Sequence, residues 1–258
     1  LSNLGVKKGT IVAGFVPNCA ETVISMLAVS SLGGVWTSCS PDFGANGVVD
    51  RFGQVNPHIL ITSNGYSYNG KLFKLEEKVN GVLESIDSIR HIVEIEYVDI
   101  KSNFNHDSII SFGDILNDGQ TQPKFEQLPF DHPLFIMYSS GTTGPPKSIV
   151  HSSGGTLIQH MKEHQLHCDV KAGKSTMFWF TTCGWMMWNW LVSGLSSGST
   201  IVLYDGSPSY PSLERLWKMI DDLNITHFGT SPKFLNACDS ANILPNKFCK
   251  FGSLESIL

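Results

Sequence analysis

Residues 134 to 148 read Leu134-Phe135-Ile136-Met137-Tyr138-Ser139-Ser140-Gly141-Thr142-Thr143-Gly144-Pro145-Pro146-Lys147-Ser148, an apolar run that passes directly into a hydroxyl- and glycine-rich loop ending on one lysine. The run has the length and composition of a buried strand. In the loop, the glycines let backbone N–H groups converge on an anion, the Ser and Thr hydroxyls add donors, and Lys147 supplies a full positive charge. That donor set points to a phosphate clamp, with a triphosphate as the implied ligand.

Two other loops share part of this composition. A flexible Ser/Gly linker needs neither the strand before it nor the Pro145-Pro146 pair that stiffens the turn ahead of the lysine. A Walker A loop requires Gly immediately before Lys-Ser and a helix from that point, whereas Pro146 stands there and Ser148-Ile149-Val150-His151 reads as a short strand. The pattern therefore fits a nucleotide-dependent enzyme of another lineage.

Outward from the loop, apolar runs alternate with helical periodicity. Upstream, 10–16 reads as a strand and 18–32 as a helix, with Asn18 as candidate N-cap, Glu21 three residues later and Gly33-Gly34 after the last turn. Strand, helix and strand follow at 35–39, 45–56 and 58–62. Leu72, Leu75 and Val79 put 71–82 on one charged amphipathic helix, and 89–98 reads as a further strand. Segment 103–133 is polar and turn-rich, an irregular surface excursion. Downstream, 154–167 reads as a helix, 176–180 as a strand, 185–195 as a buried helix and 200–204 as a strand. Leu213, Leu216, Trp217, Ile220 and Leu223 mark an amphipathic helix with Glu214 and Lys218 one turn apart on its exposed side, and 226–230 closes the set as a strand.

The two sides echo each other. Ser31-Leu32-Gly33-Gly34, a strand, Ser40-Pro41, a helix and Asn56 before a strand resemble 194–198, a strand, Ser207-Pro208, a helix and Asn224 before a strand. The fold class is therefore α/β: two related subdomains of mainly parallel sheet flanked by helices, about 1–102 and 134–258, joined by the irregular 103–133. No GxGxxG follows the first strand, which argues against a dinucleotide site of the Rossmann type.

Composition narrows the function classes. A length of 258 residues is enough for a sizeable core, and 41% hydrophobic with 16% charged residues is ordinary for a globular chain. A net charge of -5 without a dense Lys/Arg block argues against a nucleic-acid partner and for small molecules. The six cysteines are widely and irregularly spaced without a CxxC pair, the pattern of free thiols in a reducing compartment, which places the protein in the cytosol. Residues 175–204 carry no charge over a length that spans a bilayer, but Thr181-Thr182, Gly184, Asn189 and the polar 193–200 break the run, so buried strands and a helix are expected instead of a membrane span.

The loop, from Tyr138 through Gly144 to Pro146-Lys147, resembles the phosphate-binding signature of the AMP-forming acyl-CoA synthetase family, the adenylate-forming enzymes. Phe125 to Phe130, Gly154-Gly155-Thr156-Leu157-Ile158-Gln159-His160, Gly184-Trp185-Met186-Met187-Trp188-Asn189-Trp190 and Leu203 to Pro208 are similar to the branch of that family that activates acetoacetate, with acetate and other short acids as the alternatives within it. The resemblance implies that the chain forms part of the large N-terminal domain of such an enzyme. It also implies ATP, Mg2+ and coenzyme A beside the acid. Ser139, Ser140, Gly141, Thr142, Thr143, Gly144 and Lys147 would then bind the nucleotide, with Thr142, Thr143 and Lys147 stabilising charge on the departing pyrophosphate. Trp185, Met186 and Met187 fall where the family lines its acyl pocket, whereas Trp188 and Trp190 read as core. No metal ligand is assigned.

Two rivals come from other classes. His160-Met161-Lys162-Glu163-His164 fits an HxxEH zinc pattern, with His167 a third imidazole at i+7 on the same helical face, which would make the chain a zinc hydrolase. The glycine turn, acidic magnesium motif, ribose-binding aspartate and C-terminal lid domain with its catalytic lysine that the family carries have no match here. The chain, which starts on Leu1 and ends in an apolar segment, is therefore expected to be part of a longer protein. By itself it is expected to be a non-catalytic binding fragment.

Overall fold

The computed structural model describes residues 1–116, 122, 125–139 and 144–258. It divides into two compact units, Leu1–Tyr66 with Leu72–Thr156, and Ser67–Lys71 with Leu157–Leu258.

The first unit is built on a seven-stranded sheet. Its elements run β1 (Ile11–Phe15), α1 (Ala20–Ser31), β2 (Val35–Cys39), α2 (Ala45–Phe52), β3 (Ile59–Ser63), a hairpin of β4 (Gly65–Tyr68) and β5 (Lys71–Lys74) whose residues Ser67–Lys71 count with the second unit, α3 (Glu76–Ser85), β6 (His91–Ile95), β7 (Ile109–Ser111), α4 (Phe112–Leu116), β8 (Pro133–Tyr138) and β9 (Ser148–Ser152). The spatial order is β7-β6-β3-β1-β2-β8-β9, parallel throughout except for β9, which returns antiparallel along β8. β1, β2 and β3 are continuous apolar or small-residue runs because both faces are covered. Val48 and Phe52 of α2 and Val79 and Val82 of α3 close one face over Phe15, Leu60 and Ile92, and the right-handed crossover rule places α1 on the other.

The helix α5 (Ser153–Lys162) follows, continued by a π turn over Glu163–His167. The second unit then runs β10 (Thr176–Trp179), α6 (Met186–Ser193), β11 (Thr200–Val202), α7 (Glu214–Asp222), β12 (His227–Gly229), α8 (Pro232–Ser240) and β13 (Ser256–Ile257). These strands form a parallel sheet in the order β11-β10-β12-β13. Leu216, Trp217 and Ile220 of α7 and Phe234 of α8 pack over Phe178 and Phe228.

The echo seen in the sequence is a topological repeat. In each sheet the first strand lies between the second and third, with the fourth beyond the third: β2-β1-β3-β6 and β11-β10-β12-β13. Asn56 (φ 49) and Asn224 (φ 51) share the left-handed conformation just before β3 and β12, and Gly33 and Gly198 (both φ 72) share it before β2 and β11. Glu214 and Lys218 form the expected pair at 2.6 Å. The chargeless run 175–204 is divided among β10, α6, a 3-10 turn and β11, and among the described residues no helix is long and apolar enough to cross a membrane.

Several expectations are corrected. Residues 71–82 are not one helix: Asn69 and Gly70 both take positive φ, the geometry of a tight hairpin turn, so 71–74 becomes β5 and Leu72 is exposed while Leu75 and Val79 are buried. The N-cap of α1 is Cys19, not Asn18, and no side chain caps it. Segment 103–133 is not wholly irregular, since β7 and α4 lie in it and β7 extends the first sheet. The division expected across that segment falls after Thr156, because β8 and β9 pair into the first sheet.

Candidate functional site

The loop expected to bind phosphate connects β8 and β9, two paired strands of the first unit. Of its residues, Ser139, Gly144 and Lys147 are described; Ser140, Gly141, Thr142 and Thr143 lie outside the described residues. The neck is closed by a reciprocal pair of bonds: the Ser139 N–H donates to the Lys147 carbonyl at 3.0 Å, and the Lys147 N–H donates to Ser139 Oγ at 2.9 Å. Ser139 therefore ties the two limbs together at the lysine, a structural task beyond the donor role expected of it. Gly144 sits at φ 155, where a side chain would be strained. The Lys147 side chain is exposed at the end of the loop.

The strand entering the loop is fixed from its neighbour. Tyr138 Oη lies 2.9 Å from Thr37 Oγ1 on β2, and Thr37 donates to the Ile136 carbonyl at 3.0 Å. Burial pushes the Tyr138 phenol well above its ordinary pKa, so it stays neutral at the loop entrance. From the other side, Gln54, just past the end of α2, donates from Nε2 to the Pro146 carbonyl at 2.7 Å and accepts the Ser148 hydroxyl at 3.1 Å.

In the second unit, Trp185 precedes α6 and is 67% exposed, while Met186 and Met187 are half-buried. Met187 reaches the core cluster of Val170, Met177, Trp190 and Leu191. Trp188 and Trp190 are buried, as expected of core residues.

A family model described as AMP-binding enzyme matches residues 1–258. The chain belongs to the AMP-binding enzyme family. It is 45% identical to an acetoacetyl-CoA synthetase of Gallus gallus, covering 100% of this chain and 40% of that protein. An acetoacetyl-coenzyme A synthetase of Rhizobium meliloti (strain 1021) is also 45% identical, over 97% of this chain and 39% of its own. A malonamoyl-CoA synthetase of Penicillium aethiopicum is 40% identical over 94% of this chain and 36% of its own. Among solved structures, the acetoacetyl-CoA synthetase from Streptomyces lividans superposes with a TM-score of 0.94 at 42% identity, over all of this chain and 39% of that one. The chain thus spans about 40% of the length of the relatives it matches.

Two buried hydroxyls lie near the strand ends of the second sheet. In open parallel sheets, ligands bind beyond the carboxyl ends of the strands where the chain order reverses. In the second sheet that point lies between β10 and β12. Thr182, shortly past the end of β10, and Thr230, directly after β12, carry buried hydroxyl oxygens with no hydrogen-bond partner. The signal that finds them is the strand order, which the repeat in the sequence implies but does not state.

The zinc reading fails on geometry. Among the described residues no group of three or more His, Cys, Asp or Glu side chains is placed to hold a metal ion. Glu163 accepts the Trp190 indole N–H at 2.8 Å and the Gln159 amide at 2.5 Å, and His160 Nδ1 lies 2.8 Å from Ser193 Oγ. His160 and His164 are buried but His167 is exposed, because the π turn widens the helix and rotates the third imidazole off their face. All six cysteines are free, as their spacing led us to expect. Burial pushes the Cys19 thiol up to about 11 and Cys39 up to about 12, so both remain unreactive.

Proposed function

We propose that this chain supplies the phosphate-binding loop and the acyl-binding region of a cytosolic enzyme that activates acetoacetate with ATP and passes it to coenzyme A. The observation that carries the reading is the loop between β8 and β9, in a chain of the AMP-binding enzyme family 45% identical to acetoacetyl-CoA synthetases. In the first step the acetoacetate carboxylate oxygen attacks the α-phosphorus, the bond to the bridging oxygen breaks, and pyrophosphate leaves with the electron pair. Charge then builds on the β- and γ-phosphate oxygens, where donors already held in place stabilise it without reorganisation. Lys147 is the mobile cation for this step, with Ser140, Gly141, Thr142, Thr143 and Gly144 as the loop's donor backbone and hydroxyls. In the second step the thiol of coenzyme A attacks the acyl carbon and AMP departs. Magnesium enters with ATP as its counter-ion, and no residue is assigned to it.

Trp185, Met186 and Met187 are proposed to line the acid's pocket. The acids named by the relatives, acetoacetate and malonamate, share a carboxylate and a second carbonyl one methylene away. The orphan hydroxyls of Thr182 and Thr230 are donors of the kind that carbonyl requires.

The test is acetoacetate-dependent exchange of labelled pyrophosphate into ATP by the protein at its natural full length, with acetate as the comparison acid. Exchange with acetoacetate well above that with acetate supports the reading. Exchange that favours acetate removes acetoacetate as the substrate, and no exchange with either acid removes the adenylation step.

A further inference from the structure

Lys147 is held at its backbone from two sides, and one of the holders lies in no motif. Gln54 stands two residues past α2, whose Val48 and Phe52 anchor it in the core of the first unit. Its Nε2 donates to the Asp50 carbonyl at 2.5 Å and to the Pro146 carbonyl at 2.7 Å, and its Oε1 accepts the Ser148 hydroxyl at 3.1 Å and the Ser148 N–H at 3.4 Å. The two carbonyls fix which end of the amide is nitrogen, since the reversed group would set its oxygen against both. One carboxamide therefore spans the residue before the lysine and the residue after it, while Ser139 pairs with the lysine itself.

The local sequence explains why such a brace is needed. Pro145 and Pro146 have no N–H, so the turn ahead of the lysine has only carbonyls by which it can be anchored. Ser139 holds the Lys147 peptide but leaves the Pro146 carbonyl and the Ser148 amide unheld. Each exposed hydrogen bond is weak alone. Together, Gln54 and Ser139 hold three consecutive residues of the loop's return limb, Pro146 and Ser148 from the end of α2 and Lys147 from the end of β8.

We propose that Gln54 is a positioning residue for adenylation, fixing the main chain on both sides of Lys147 so that its ammonium group meets the departing pyrophosphate without the loop reorganising. The inference rests on the reading of Lys147 as the phosphate cation. It deepens that reading by adding a residue remote from it in sequence.

The test separates the two half-reactions in the protein at its natural full length. Gln54→Met keeps the length of the side chain and removes every hydrogen bond. Gln54→Glu keeps an acceptor for Ser148 but sets a carboxylate against the Pro146 carbonyl. Both are expected to lower kcat of acetoacetate-dependent pyrophosphate exchange about tenfold, less than the roughly hundredfold cost of losing a donor outright, because the lysine stays present and is only less well placed. The KM for acetoacetate, the thermal midpoint and thioester formation from supplied acetoacetyl-adenylate should stay as in the wild type, because pyrophosphate has already left in the second step. Exchange within twofold of wild type, an equal fall in both half-reactions, or loss of folding in both variants would overturn the proposal. A wild-type protein without exchange would overturn the parent reading as well, so the two failures are told apart by the wild-type control.

Discussion

The two sheets carry the same strand order and differ in what is added to it. The first gains β7 on one edge and the β8-β9 pair on the other, and the loop proposed to bind phosphate joins that added pair. The second gains no such pair among the described residues, but its first helix α6 carries Trp188 and Trp190 where the corresponding α1 carries Val23, Met26 and Val29. A common βαβ scaffold thus does not itself specify chemistry. In the first unit the loop proposed to bind phosphate hangs on a strand pair outside the repeat. In the second, the helix inside the repeat buries Trp188 and Trp190, and the exposed Trp185 precedes it, its N–H donating to the Thr182 carbonyl.

The largest effect should come from breaking the aromatic half. Trp188 is fully buried, and Trp188→Ala is expected to cost about 3–5 kcal/mol. Residue-resolved hydrogen exchange would show protection lost at β10 to β12 and kept at β1 to β3. Equal loss in both sheets would mean that the halves do not differ in what holds them. The next largest effect concerns the added pair. Lys147→Ala should lower acetoacetate-dependent exchange about a hundredfold, or about 2.7 kcal/mol, with no change in unfolding midpoint because its side chain is exposed. A variant that keeps its exchange rate would move the chemistry away from the loop.

The sequence was legible where period and turn chemistry agreed. β2 spans 35–39 as read, and the α7 stripe places Leu216, Trp217 and Ile220 in the core. Residues 71–82 misled because Leu72, Leu75 and Val79 keep helical spacing across a hairpin, so the Asn69-Gly70 turn outranks the period. The loop and the Trp-rich segment could be read because each is one contiguous stretch. Gln54 could not, since it meets Pro146 and Ser148 across more than ninety residues and only the fold brings them together. Thr182 and Thr230 are likewise singled out only by the order of strands, not by neighbours in the chain.

A finer comparison sets Asn56 against Asn224. Each holds a left-handed turn immediately before the third strand of its repeat, with φ of 49 and 51. Asn56→Ala and Asn224→Ala are each expected to cost about 1 kcal/mol, since a Cβ without a polar side chain is disfavoured there, while the corresponding glycine variants should be nearly neutral. Denaturant midpoints of the single and double variants measure whether the two costs add, as they should for distant sites. Unequal costs would show that only one half needs the turn.

The smallest effect expected is a pH dependence peculiar to the second half. His164 is fully buried, and neither ring nitrogen makes a hydrogen bond of good geometry, the Trp190 backbone being its strongest polar influence. Burial holds its pKa below the ordinary imidazole value of 6.5, outweighing the opposite pulls of the Trp190 backbone and then of Glu163, while His227 adds to the depression. The folded imidazole is therefore neutral where the unfolded one takes up a proton. Its contribution is fully present above pH 6.5 and is lost as pH falls from there toward the depressed value. Between pH 7 and pH 6 the loss is at most about 0.7 kcal/mol, the proton-uptake free energy of an unfolded imidazole over that interval. Denaturant titrations at the two pH values measure it, and His164→Phe, which also removes two unpaired nitrogens, should flatten the slope without lowering stability at pH 7. An unchanged slope would assign the dependence to His91 and His151, which burial also holds down in the first unit, and the comparison would then run the other way.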